Sequence, residues 1–268
     1  MTSVVEALLA EDPFTVTCAS GRVEIIVVSN PQARPPIDLG LVATSAEDRT
    51  IVRFAGGCKG LSSDVSLELL EYHVSAMNGF RGALMSGGTR SVEGGATVAT
   101  VTEAAVAVHR SNPGTVVIAT VPRTTGNLGM TGSSQFVLGT YDEHLHPGYD
   151  LTVIVQDGCE GELTWHGDLP LYFKLFASLK ERAKFRAAGV ICSNGGDATE
   201  QELIMSAKAG YPTFLIQGFE RKTDEYALAL QRGQLDWLPQ NHGLVVVDRK
   251  DPSSLRDALA AANFFPTN

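Results

Sequence analysis

From residue 49 onward the chain repeats one unit: a near-continuous apolar run of strand length, usually closed by glycine, then a stretch whose apolar residues have helical spacing. The runs are "TIVRFAGG", "GALMSGG", "GTVVIATVP", "DLTVIVQDG", "GVICSNGG", "PTFLIQG" and "GLVVVD". A strand that is apolar on both faces must be covered on both, and parallel strands need a crossover, usually a helix. The rhythm therefore predicts an α/β fold: a Rossmann-like, doubly wound, mainly parallel sheet of six or seven strands flanked by helices. The first helix is expected over "CKGLSSDVSLELLEYHVSAM" with its cap at Ser63 or Asp64, and the second over residues 94–111.

The first 45 residues differ. "FTVTCA" and "RVEIIVVS" alternate like two strands joined at Ser20 and Gly21, and "NPQARPPID" is a proline-rich loop. The expected organisation is a β-rich extension over residues 1–45 and one Rossmann-like domain over 46–268, a length that suits a single large domain. A formal net charge of -9 argues against broad contact with a nucleic-acid backbone or an anionic membrane, while leaving room for one local basic pocket. Cys18, Cys58, Cys159 and Cys192 stand far apart with no paired spacing, which fits a reducing, cytoplasmic setting with Cys192 as an inert core thiol.

In doubly wound sheets ligands collect beyond the carboxyl ends of the strands. Four strand ends here carry glycine turns: "AGGCKGLS" (55–62), "SGGTRSVEGG" (86–95), "NGGDATEQE" (194–202) and "QGFERKTDE" (217–225). Glycine lets backbone N–H groups approach a ligand, and the helix that follows adds unpaired N–H donors and the positive end of its dipole. Arg90 and Arg221 lie within two of these turns, and guanidinium groups pair well with phosphate oxygens. The candidate ligand-binding residues are Gly56, Gly57, Lys59, Ser86, Gly87, Gly88, Thr89, Arg90, Gly195, Gly196, Asp197, Thr199, Glu202, Gly218, Phe219 and Arg221, with Arg123 at the start of a long loop. No GxxxxGK[ST] loop and no strict G-x-G-x-x-G occurs, so neither a P-loop enzyme nor an ordinary dinucleotide dehydrogenase is expected.

Together the 86–95 and 194–202 turns resemble the signature loops of the SLOG superfamily. In the run from Asn194 to Glu202, both glycines, Thr199 and Glu202 match the P-G-G-x-G-T-x-x-E loop of the LOG phosphoribohydrolases, while Asn194 replaces proline and Ala198 the third glycine. From about residue 50 to 230, the order of motifs is closer to the branch found in the cytosolic part of TRPM channels and in stand-alone prokaryotic relatives (LSDAT). "MSGGTRSVEGG" resembles that branch's V-T-G-G-T-H-x-G-V, and residues 194–227 its E-G-G-x-x-T followed by G-S-G-R-x-x-D. Gly218, Phe219, Glu220 and Arg221 replace G-S-G-R, which suggests a base or ribose near Phe219 or a phosphate site weakened by Glu220.

What the resemblance implies is a cytosolic protein that senses or binds a small nucleotide-derived ligand of the ADP-ribose, NAD or cyclic-nucleotide type, working as a homo-oligomer, with no nucleic-acid or membrane partner and no separate cofactor. Catalysis stays open. N-glycosidic hydrolysis needs a carboxylate near the anomeric carbon, and Glu202 is the candidate, expected to point back toward the ligand. The alternative for Glu202 is an exposed first-turn residue favoured by the helix dipole. The helix that carries Lys180, Arg182, Lys184 and Arg186 has no clear match to the LOG arginine motif, which favours binding over hydrolysis. A structural module whose glycine turns only pack is the third reading. His144 and His146 in "YDEHLHPGYD" lack a third ligand at metal-site spacing, so that stretch reads as an exposed loop and no metal is expected. The loop over residues 122–149 reads as surface decoration or a lid, and Trp165 with His166 as packing before a helix.

Overall fold

The computed structural model describes residues 50–57, 61–87, 101–120, 148–149, 185–240 and 242–265, and the helical positions 173, 176, 177 and 180. The strand residues 16–18, 21–29, 92–93, 96–97, 121 and 151–157 are described as backbone only. In chain order the strands are β1 (Val16–Cys18), β2 (Gly21–Ser29), β3 (Thr50–Gly56), β4 (Ala83–Ser86), β5 (Val92–Glu93), β6 (Ala96–Thr97), β7 (Val116–Val121), β8 (Leu151–Asp157), β9 (Ala187–Ser193), β10 (Thr213–Gln217) and β11 (Leu244–Asp248). The helices are α1 (Ser63–Ala76), α2 (Val101–Ser111), α3 (Asp197–Lys208), α4 (Arg221–Gln231) and α5 (Pro252–Ala261).

A 9-stranded sheet runs β1-β2-β8-β7-β4-β3-β9-β10-β11. From β8 to β11 every pairing is parallel, as the apolar runs predict. The two N-terminal strands pair with each other and, antiparallel, with β8, so they widen this sheet at its edge. The chain winds outward from β3 through β4 and β7 to β8, then returns to β9 on the other side of β3 and winds outward again. That reversal makes β3 and β9, paired from Thr50 with Ala187 to Gly56 with Ser193, the topological switch point.

Side chains alternate along each strand, so each run feeds two cores. Val52, Phe54, Ile191, Phe214 and Ile216 pack on one face, against the layer of α1, α2 and α5. Ala55, Val190, Cys192 and Leu215 pack on the other with Leu203 of α3 and Ala227 of α4. Cys192 is fully buried and burial pushes its thiol up, as expected of an inert core cysteine.

Two boundaries differ from expectation. The cap of α1 is Ser62, whose extended backbone lets its hydroxyl accept from the Val65 N–H at 3.3 Å, one residue before the expected Ser63. Of the helix expected over 94–111, Val101–Ser111 is helical, while Ala96 and Thr97 pair with Glu93 and Val92 as an antiparallel ladder. Adjacent glycines suit a tight turn better than a helix start.

His73 of α1 is fully buried, with its ring edge-on to Phe54 and Tyr72 at centroid distances of 5.0 and 5.9 Å. Its Nδ1 donates to the Leu69 carbonyl at 2.7 Å, and its Nε2 has no partner among the described residues. Burial pushes the pKa down from 6.5 to about 4. Between those values the unfolded chain binds a proton that the folded chain refuses. The folded state is therefore at full strength above pH 6.5 and loses up to about 3 kcal/mol as pH falls toward 4. Urea denaturation at pH 7.5 and pH 4.5 checks this: the loss is expected to shrink by about that amount in His73→Gln. An equal loss in both proteins contradicts it.

Candidate functional site

The carboxyl ends of β3, β9 and β10 bring three of the four glycine turns into register. Asn194 does the joining. Fully buried, it donates from Nδ2 to the Phe219 carbonyl at 2.7 Å, and its own carbonyl accepts from the Thr223 hydroxyl at 2.7 Å and the Thr223 N–H at 3.2 Å. Its Oδ1 accepts from the Gly195 N–H at 2.6 Å. Through its side chain and its carbonyl, Asn194 docks the β9 turn on the β10 turn.

Gly195 and Gly196 then lead into α3. Gly196 is the N-cap and supplies no side-chain cap, which leaves the first-turn N–H groups without one. The Arg221 guanidinium lies over this helix start: a Cβ on Gly196 would stand 2.9 Å from Arg221 Nη2. A Cβ on Gly57, at the end of β3, would stand 3.6 Å from Gly195 Cα and 4.0 Å from Arg221 Nη1. Gly57, Gly195, Gly196 and Arg221 are thus one cluster at the switch point. Arg221 is half-buried and its side chain makes no hydrogen bond or ion pair among the described residues, Glu220 included. A positive side chain over an uncapped helix N-terminus is an arrangement suited to an anion.

The turn after β10 is built differently. Its amides are taken by its own carboxylate: Asp224 Oδ1 accepts from Gly218 N–H at 2.8 Å and Oδ2 from Glu220 N–H at 2.9 Å. The Gly218 carbonyl accepts from Arg249 Nη1 at 2.5 Å, and Arg249 pairs through two further hydrogen bonds, of 2.8 and 2.6 Å, with Glu68 of α1. The Glu68 carboxyl is held below its usual range mainly by that bond from Arg249. Phe219, expected beside a base or ribose, is fully buried, edge-on to Tyr72 and 4.9 Å beneath the Arg249 guanidinium. Its ring is core, because the chain reverses there and turns it into the α1 layer.

Glu202, read as either a ligand-facing carboxylate or an exposed first-turn residue, is buried and not exposed. Its side chain is 7% exposed and its Oε1 accepts from Arg53 Nε at 2.9 Å and from Arg53 Nη2. Arg53 is itself buried in β3, its guanidinium 5.9 Å from the Phe173 ring and its Nη1 donating to Thr120 of β7 at 3.2 Å. Burial pushes the Glu202 carboxyl above its ordinary value while Arg53 pulls the other way. Thr120 donates onward to the Ser86 carbonyl at 3.1 Å, and Ser86 and Tyr149 share a hydrogen bond. These groups form a buried polar network that reaches the ends of β4 and β7.

Of the other expected residues, Thr199 is buried and fills the space beside Gly195, Asp197 is exposed on the first turn of α3, and Gly87 is half-exposed after β4. Lys59, Gly88, Thr89, Arg90 and Arg123 lie outside the described residues, as do His144, His146, Trp165 and His166. Arg53, Asn194, Asp224 and Arg249 were missing from the sequence-derived set. Arg53 did carry a signal, a charge inside an apolar strand, which must find a partner when buried.

No helix among the described residues is long and apolar enough to cross a membrane. No family model matches the chain, and no curated protein does. Among solved structures it is similar to TM1055, a structural-genomics target, at 15% identity and a TM-score of 0.49 over 80% of this chain and 99% of that one. It is also similar to the molybdenum cofactor carrier protein of Chlamydomonas reinhardtii, at 14% identity and a TM-score of 0.46 over 80% of this chain and 98% of that one.

Proposed function

We propose that this chain is a nucleotide-ligand binding protein of the SLOG type, closest to the prokaryotic TRPM-like (LSDAT) branch. Its ligand is of the ADP-ribose, NAD or cyclic-nucleotide kind, held at the carboxyl edge of the sheet. One observation carries the reading: the Arg221 guanidinium, without a partner among the described residues, over the uncapped start of α3 at the switch point. A ligand phosphate would accept from the first-turn N–H groups and from Arg221 together. The Glu202 carboxylate is committed to Arg53, which favours binding over hydrolysis of an N-glycosidic bond.

Thermal-shift titration with ADP-ribose, NAD, AMP and 3′,5′-cyclic AMP tests it, since a ligand that binds the folded state raises its apparent stability. At least one is expected to raise the midpoint. Arg221→Ala is expected to leave the ligand-free midpoint nearly unchanged and to weaken binding about tenfold to a hundredfold, the usual worth of hydrogen bonds to a charged group. No shift with any of the four at millimolar concentration overturns the reading.

A further inference from the structure

The anion seat accounts for the glycine cluster on the α3 side of the switch point. It does not explain a buried hydroxyl on the other side. Ser193, the last residue of β9, is fully buried, and its hydroxyl has no hydrogen-bond partner among the described residues. A hydroxyl withdrawn from water and left unpaired works against folding, and such groups are few in native proteins.

The location of this hydroxyl bears on what it is for. Ser193 stands opposite Gly56 in the β3–β9 ladder. A Cβ on Gly56 would lie 3.1 Å from Ser193 Oγ and 2.8 Å from Cγ1 of Val101, the first residue of α2. The hydroxyl therefore sits where two strand ends meet the start of a helix on the face opposite α3. The residue that follows β3, Gly57, borders Arg221. Consecutive Cα atoms are ~3.8 Å apart, so the orphan hydroxyl and the anion seat flank two successive residues of one strand end. A phosphate and the sugar that carries it have the same neighbourly relation.

The start of α2 does not call for a second anion. Its first turn already holds a carboxylate, Glu103. A neutral group that both donates and accepts fits better there. We propose that Ser193 is a specificity-determining residue of the site, its hydroxyl pairing with a ribose hydroxyl of the nucleotide whose phosphate lies on α3 and Arg221. The inference rests on the nucleotide-binding reading and narrows it to ligands with an intact ribose. Because the hydroxyl is shielded in the ligand-free chain, the glycine turns around it must part as the sugar enters.

Ser193→Ala tests this, with the ligand-free thermal midpoint and calorimetric titration of ADP-ribose, NAD, AMP and 3′,5′-cyclic AMP read on the same preparations. The ligand-free midpoint is expected to stay level or rise, since an unpaired hydroxyl has been removed. Every ligand of the four that binds the wild type is expected to bind the variant about tenfold more weakly. The 2′-deoxy and 3′-deoxy forms of a bound ligand are then compared: one of them is expected to lose affinity against the wild type and to lose none against Ser193→Ala. A lowered ligand-free midpoint shows that the hydroxyl serves the fold and overturns the inference. So does a wild type that binds while the variant binds equally well, or deoxy forms that lose alike against both proteins. A wild type that binds none of the four overturns the nucleotide reading itself, a separate outcome.

Discussion

Arg53→Met is expected to cost the folded chain about 3–5 kcal/mol, because it leaves the Glu202 carboxylate buried with no partner for its charge. The effect is large because both groups are out of water and two hydrogen bonds from Arg53 converge on one carboxylate oxygen. Glu202→Leu is expected to cost stability too, by removing the carboxylate that balances the buried Arg53 charge. Removing both charges together, in Arg53→Met with Glu202→Leu, is expected to recover much of the loss, since an apolar pair of similar volume carries no desolvation penalty. Urea denaturation of the four proteins gives the coupling directly. Additive single losses contradict the view that the two residues stabilise the sheet mainly as a pair. The same series bears on catalysis: a carboxylate whose main partner is a structural arginine is expected to matter to stability before it matters to any turnover.

Gly195→Ala is expected to destabilise by about 3 kcal/mol and to abolish ligand binding. Gly195 has φ +84°, a conformation that costs other residues of order 1–3 kcal/mol. Its missing Cβ also matters: a methyl there would stand 2.2 Å from the Thr199 Oγ1 and 2.4 Å from its Cβ. Thr199 belongs to the first turn of α3 and is buried, so it cannot swing away. The helix start would have to move off the turn and take the anion seat with it. Thermal denaturation and a titration with AMP or ADP-ribose read both parts. A variant that keeps wild-type stability contradicts the packing of Thr199 on Gly195, and one that keeps wild-type affinity contradicts the placement of the phosphate at this turn.

The fold was legible because buried parallel strands have little choice of composition. "TIVRFAGG" and "GVICSNGG" can hardly be anything but covered strands, and their glycine ends mark the edge where the chain turns into a helix. Strand order was not legible. Whether β9 returns beside β3 or beside β8 depends on the direction of a crossover, and no local residue pattern states it. The site divides along the same line. Gly57, Gly195, Gly196 and Arg221, which the structure brings together, could be picked out as candidates because glycine turns and a nearby arginine are local signals. Asn194 read only as a missing proline, since its bonds reach Phe219 and Thr223 on the next turn. Arg53 announced its need for a partner, yet Glu202 lies 149 residues further along the chain. Phe219 misled because an aromatic residue in a ligand turn suggests stacking, while its fully buried ring helps to hold β10 against α1.

The central claim is the placement of a ligand phosphate at the start of α3 under Arg221. A crystal structure of the chain soaked with ADP-ribose or AMP tests it most directly. The expected map shows a phosphate within about 3 Å of the first-turn N–H groups of α3 and of the Arg221 guanidinium, hydrogen-bond distance for charged partners. A nucleotide bound elsewhere, with the α3 turn empty and Arg221 turned onto another group of the protein, contradicts it.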